Sequence, residues 1–145
     1  MINQKADLFV LLDAVANRAN EVKISFSSAP EPTAHHSNAI VVANYAIECT
    51  TWLKRTSQHI EPGTFDGISK MLIVARDSLD TARGALSSGQ GEIGFSRLRD
   101  AAAACHASTT TFYARPPGDP QVDPPPPLPS SLGNLAMNFK FSGLG

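Results

Sequence analysis

Charge is scarce in this chain. Only 17% of its 145 residues are Asp, Glu, Lys or Arg, against about a quarter in an ordinary soluble domain. A surface so poor in charge suits a protein covered by neighbours. The formal net charge is −1, which argues against an electrostatic grip on nucleic acid or on an acidic membrane. Long apolar runs are missing too. No stretch approaches the roughly 18 consecutive apolar residues of a membrane span, and the run from Leu8 to Leu12 is flanked by Asp7 and Asp13. The start carries no separate basic head and no small-residue cleavage site, so it does not read as a secretory signal. A cytoplasmic location, or one inside an assembled particle, is the expectation.

Residues for chemistry are equally sparse. The two cysteines, Cys49 and Cys105, lack metal-ligand spacing and fall inside predicted helices, where they read as reduced, buried, small hydrophobes. No C-x-x-C or H-E-x-x-H pattern occurs. The glycines of "GQGEIG" follow no strand and carry no P-loop lysine, and they read as the flexible entry to a helix. His35 and His36 form a pair in a polar loop, and His59 stands where a helix closes and can meet its terminal carbonyls. No metal and no cofactor is expected. Tyr45 and Trp52 fall on an apolar face and read as core.

What is abundant is helical periodicity. Proline costs about 3 kcal/mol inside a helix, and all eleven prolines lie outside the helical patterns. Pro30 and Pro32 mark one break, Pro62 another, and the remaining eight lie between positions 116 and 129. Four uninterrupted segments remain. In the first, from about Asn3 to Ser25, Leu8, Leu11, Leu12, Val15, Ala19, Val22 and Phe26 recur at three- and four-residue steps, an apolar stripe on a helix. The second runs from about Ser37 to His59, with Ser37 or Asn38 as cap and Val42, Tyr45, Ala46, Cys49, Trp52 and Leu53 as stripe. The third starts at Thr64, read as its cap. It carries Phe65, Ile68, Leu72, Ala75, Leu79, Ala82 and Leu86, and stops at Gly89. The fourth, from about Gly91 to Tyr113, presents Phe95, Leu98, Ala102, Cys105, Thr109 and Phe112.

Each segment makes a helix about 30 Å long. Short links between the second and third and between the third and fourth predict antiparallel neighbours. The expected fold is therefore all-α, an antiparallel, up-down-up-down four-helix bundle over residues 1–115. Arg76, Asp80 and Arg83, spaced four and three apart, read as weak ion pairs along one exposed helix face.

From position 116 to 145 the composition changes to an extended, proline-rich C-terminal arm. Consecutive prolines fix their own torsions and hold the preceding residue extended, giving polyproline II. At 3.1 Å per residue, residues 116–129 reach roughly 40 Å, with less entropy to lose on docking. In the tip, Met137, Phe139 and Phe141 alternate with Asn138 and Lys140, one apolar edge if extended. Pro125, Pro126, Pro127, Leu128, Leu132 and Leu135 add further partner-binding surface, and Leu144 another apolar anchor. A solubilising tail is charged and poor in aromatics, whereas this arm's charges are Asp119, Asp123 and Lys140. It either folds back on its own bundle or clamps a neighbour.

Two other readings are open. The run "PPPPLP" contains P-x-x-P, the core of ligands for proline-recognising domains, so the protein would be an adaptor. "RLRDAAAACH" sets Arg99 and His106 seven apart on one helix, with polar Asp100 following the arginine. An arginine, a polar residue and then a histidine after six intervening positions resembles the motif of the HEPN ribonucleases, also small helical bundles. The resemblance implies that Arg99 stabilises charge at a scissile phosphate and His106 transfers a proton. The leading expectation is non-enzymatic: a structural or assembly protein, homo-oligomeric or within a larger protein complex such as a viral or phage shell or a filament, whose arm docks on a neighbouring subunit.

Overall fold

The four periodic segments fold as four α-helices: α1 (Gln4–Ser27), α2 (His36–Thr56), α3 (Pro62–Ser87) and α4 (Gly91–Tyr113), with a 3-10 turn at Ser57–His59. The structure, a computed structural model, describes residues 4–28, 36–113, 124–130 and 132, and among these there is no strand. Pro30, Pro32, His35 and most of the arm lie outside the described residues. The stripes become the core. Leu8, Leu12, Val15, Ala19, Val22 and Phe26 of α1 meet Val42, Tyr45, Ala46, Cys49, Trp52 and Leu53 of α2, with Ile68, Leu72, Ala75 and Leu79 of α3 and Leu98, Ala102 and Cys105 of α4. Leu11 and Leu86 pack at its margin. No described helix is long and apolar enough to cross a membrane.

The helix ends follow local chemistry, with two corrections. α2 begins at His36, so Ser37 and Asn38 lie in its first turn instead of capping it, and His36 belongs to the helix. α3 begins at Pro62, not Thr64. Glu61 is extended at φ −69° and ψ 142°, as a residue before proline must be. Pro62 then takes the first helical position, where its missing N–H is no loss. The Thr64 amide and hydroxyl both donate to the Glu61 carbonyl, at 2.9 and 2.8 Å. α3 stops at Gly89 as expected. Its φ of 75° is the left-handed closure glycine permits. Gln90 N–H reaches the Ala85 carbonyl at 2.8 Å and Gly89 N–H the Leu86 carbonyl at 3.1 Å, the paired bonds of a Schellman motif.

Helix directions follow from side-chain pairs. Arg18 bonds Asp80 at 2.8 Å and Arg83 pairs with Glu21. Both pairs are 62 apart in sequence, so α1 and α3 run parallel. Thr111 meets Met71 while Gly94 abuts Leu86, so α4 runs against α3. The five-residue link 57–61 spans at most about 18 Å, far less than the roughly 31 Å of α2, which makes α2 antiparallel to α3 and parallel to α4. The chain thus runs up, down, up, down.

The expected adjacency of α2 and α3 does not hold. α2 packs on α1 and α4, α3 packs on α1 and α4, and α2 and α3 face each other across the diagonal. Helices about 10 Å apart leave a diagonal of about 14 Å, which a five-residue link can cross. The charges of α3 are rearranged for the same reason. Because α1 lies beside α3, Asp80 and Arg83 bond across the seam to Arg18 and Glu21, and Arg76 turns to Asp77 at 3.2 Å.

α4 is buried on more than its predicted face. Ala101, Ala102, Ala103, Ala104 and Cys105 are all fully enclosed, and at about 100° per residue they pass right round the helix. Alanine methyls are short enough to be shaded by longer neighbours. The small residue at Gly94 serves close packing in another way: a Cβ there would stand 2.8 Å from Cγ and Cδ2 of Leu86, so its absence sets how near α4 approaches α3.

Candidate functional site

After α4 closes at Tyr113, ten residues separate it from the next described stretch, 124–130. This stretch lies on the bundle. No cis peptide bond occurs among the described residues, and each residue that precedes a proline is held extended. Exposure along it repeats every third residue: Pro124, Pro127 and Ser130 are exposed, while Pro125, Pro126, Leu128 and Pro129 are half-buried. Polyproline II has three residues per turn, so one edge faces solvent and two face the protein. Residues 124–127 form one wall of a groove of about 400 Å³ whose other wall is α2, through Ile47, Glu48, Thr51, Trp52 and Arg55.

The stretch ends in a turn. Leu132 N–H donates to the Pro129 carbonyl at 3.0 Å, the i to i+3 bond of a β-turn. The turn carries Leu132 into the core, where it is 0% exposed, and Leu128 packs against the core's edge. Of the expected partner-binding residues, Leu132 is thus buried in its own bundle. Pro125, Pro126 and Leu128 lean on that bundle, and Pro127 lines the groove while remaining exposed. Leu135, Met137, Phe139 and Phe141 lie outside the described residues.

Arg99 and His106 both lie on α4, two helical turns apart, each with its own neighbours. The phenol of Tyr45, on α2, lies 3.0 Å from Nδ1 of His106. Burial holds the phenol protonated and lowers the imidazole pKa, so Tyr45 donates to a neutral ring. The proton left on Nε2 faces Thr110 Oγ1 at 3.4 Å, whose own hydroxyl donates to the His106 carbonyl at 2.9 Å. Both ring nitrogens have neighbours within the bundle, and no local pattern in the chain signals this bridge between α2 and α4. The Arg99 guanidinium lies 5.7 Å from the Phe95 ring centroid, with its buried Nε unbonded. Asp100 pairs with Arg97 at 3.0 Å.

Cys49 and Cys105 are buried and free. Burial pushes the Cys105 thiol up to about 12 and the Cys49 thiol well above its ordinary value, so neither is a thiolate at neutral pH. His59 lies in the 3-10 turn with Gln58 at 3.4 Å. No group of three potential metal ligands exists among the described residues. The strap on α2 is therefore the most specific surface feature of the described chain. No protein-family model matches the sequence, and no curated protein and no solved structure is significantly similar to it.

Proposed function

We propose that the protein is a non-enzymatic assembly module. Its bundle is the body and its proline-rich arm is the adhesive that joins it to a neighbouring subunit. The observation that carries this reading is the seat of Leu132. A segment outside the bundle inserts a leucine that is 0% exposed, so the arm has the chemistry to grip a helical groove. The helices supply further apolar surface: Val10 is 68% exposed, Ile24 54%, Ile93 46% and Val41 47%. Such positions, with few charges between them, suit contact with other subunits. A homo-oligomer, a filament or a viral or phage shell fits this plan by analogy of architecture.

The adaptor reading gains nothing from the strap's pose, since Pro125 and Pro126 turn toward the protein and leave the edge at Pro124 and Pro127 to a proline-recognising domain. Light scattering on the full chain tests assembly. The expected mass exceeds that of the 15.4 kDa monomer, and Leu132→Asp returns it to the monomer with helical circular dichroism retained. A wild-type chain that stays monomeric at millimolar concentration refutes the proposal.

A further inference from the structure

The strap's covalent tether is longer than its seat requires. Tyr45 on α2 meets His106 on α4, and the two helices run parallel. Seven residues on from each, Trp52 and Tyr113 stand at the same level. Trp52 lines the strap groove, and α2 packs beside α4. The end of α4 is thus about one interhelical spacing, roughly 10 Å, from the wall that residues 124–127 line. Ten residues, 114–123, make this connection, and they can reach about 35 Å. The excess is enough to cross to a bundle alongside.

We infer that the strap and the α2 groove are an exchangeable pair: the face formed by Ile47, Thr51, Trp52 and Arg55, which holds the strap of its own chain, accepts the same strap from a second copy. This rests on the assembly reading and specifies its acceptor site. Every contact made within the chain is available unchanged between chains, the condition under which identical elements swap. The seat also leaves room for release, because a groove of about 400 Å³ stays unfilled between the prolines and α2. The choice between own and partner strap is then set by concentration. A short tether supplies an effective concentration on the order of millimolar, which dilute solution cannot match. Subunits crowded side by side in an assembly can. Dilute protein keeps its strap to itself, and packed protein exchanges it.

Cysteine crosslinking reads this directly. In the full chain, Arg55→Cys and Pro124→Cys place a thiol on each wall of the groove, and the native thiols are buried. At micromolar concentration oxidation should close the bond within one chain. Toward millimolar concentration a dimer linked between chains should become the main product, and Leu132→Asp should abolish both. Crosslinks that stay within one chain throughout overturn the exchange. A second variant tests the same point without cysteines. Deleting residues 115–123 leaves a tether of about 7 Å, too short for the chain's own groove, and should convert the protein to an oligomer that Leu132→Asp disperses. A monomeric deletion variant with released Trp52 emission counts equally against exchange. If the wild type assembles and these variants do not swap, the acceptor is wrong and the assembly reading stands. If the variants swap while the wild type forms nothing larger than the exchanged dimer at millimolar concentration, the acceptor is right and building a larger assembly is not the protein's use.

Discussion

Truncating Leu132 separates a detachable strap from an integral piece of core. In the helical core, a leucine such as Leu72, also 0% exposed, should cost about 2–5 kcal/mol on replacement by alanine, the range for cavity-creating substitutions. Leu132 is equally buried but sits beyond the bundle, so the strap can let go while the helices stay folded. Its loss is therefore capped by the free energy of docking. Burying one leucine contributes about 1.5–3 kcal/mol, and half-burial of Leu128 adds a fraction of that. Ordering the strap offsets much of the sum, less than usual because proline φ is already fixed. Leu132→Ala should then release the strap and lower stability by no more than about 2 kcal/mol, roughly 6–8 °C in Tm for a domain of this size. Trp52 is the single tryptophan and lines the same groove as residues 124–127, so its emission reports the release. The expected outcome is a red shift at 25 °C, unchanged helical circular dichroism, and a smaller loss of stability than for Leu72→Ala. Equal losses for the two substitutions, with Trp52 shifting only at the global transition, would refute the idea of a strap that docks and undocks.

Gly94→Ala should destabilise by about 1 kcal/mol, because overpacking against Leu86 outweighs the gain in helix propensity. Gly84→Ala, with nothing within 4 Å, should stabilise by about 0.5–1 kcal/mol, and urea denaturation compares them. The His106 pKa is lowered by burial from its ordinary 6.5, so between its folded and unfolded values the unfolded chain binds more protons and stability falls as pH drops. The urea midpoint should therefore fall from pH 7.5 toward pH 5, and His106→Gln should fall less. Cys49 and Cys105 should resist a thiol-labelling reagent in native buffer and react together in denaturant, in keeping with their burial. Removing the half-exposed Arg18–Asp80 pair with Asp80→Asn should cost under about 1 kcal/mol.

What the sequence could and could not disclose divides along local and non-local lines. The stripes were legible because helical burial repeats every three to four residues within one segment: Leu8, Leu12, Val15, Ala19, Val22 and Phe26 are buried, as are Phe65, Ile68, Leu72, Ala75, Leu79 and Ala82. The stop at Gly89 was legible because one residue's torsion decides it. Pro62 was misread for a local reason as well, since the penalty that bars proline from a helix interior vanishes at its first position. The placing of α2 and α3 across a diagonal was not legible, because a five-residue link is long enough for either arrangement and the choice belongs to all four faces at once. That one choice then re-pairs Asp80 and Arg83 with α1. By setting α2 beside α4 it also brings Tyr45 to His106 across the seam. The arm follows the same division. Its stiffness and apolar anchors were written in consecutive residues, but the groove it occupies is not, because a strap and its receptor obey the same chemistry whether one chain supplies both or two chains share them. Only the tether, ten residues where far fewer would do, distinguishes the two cases, and it speaks for a strap that can travel.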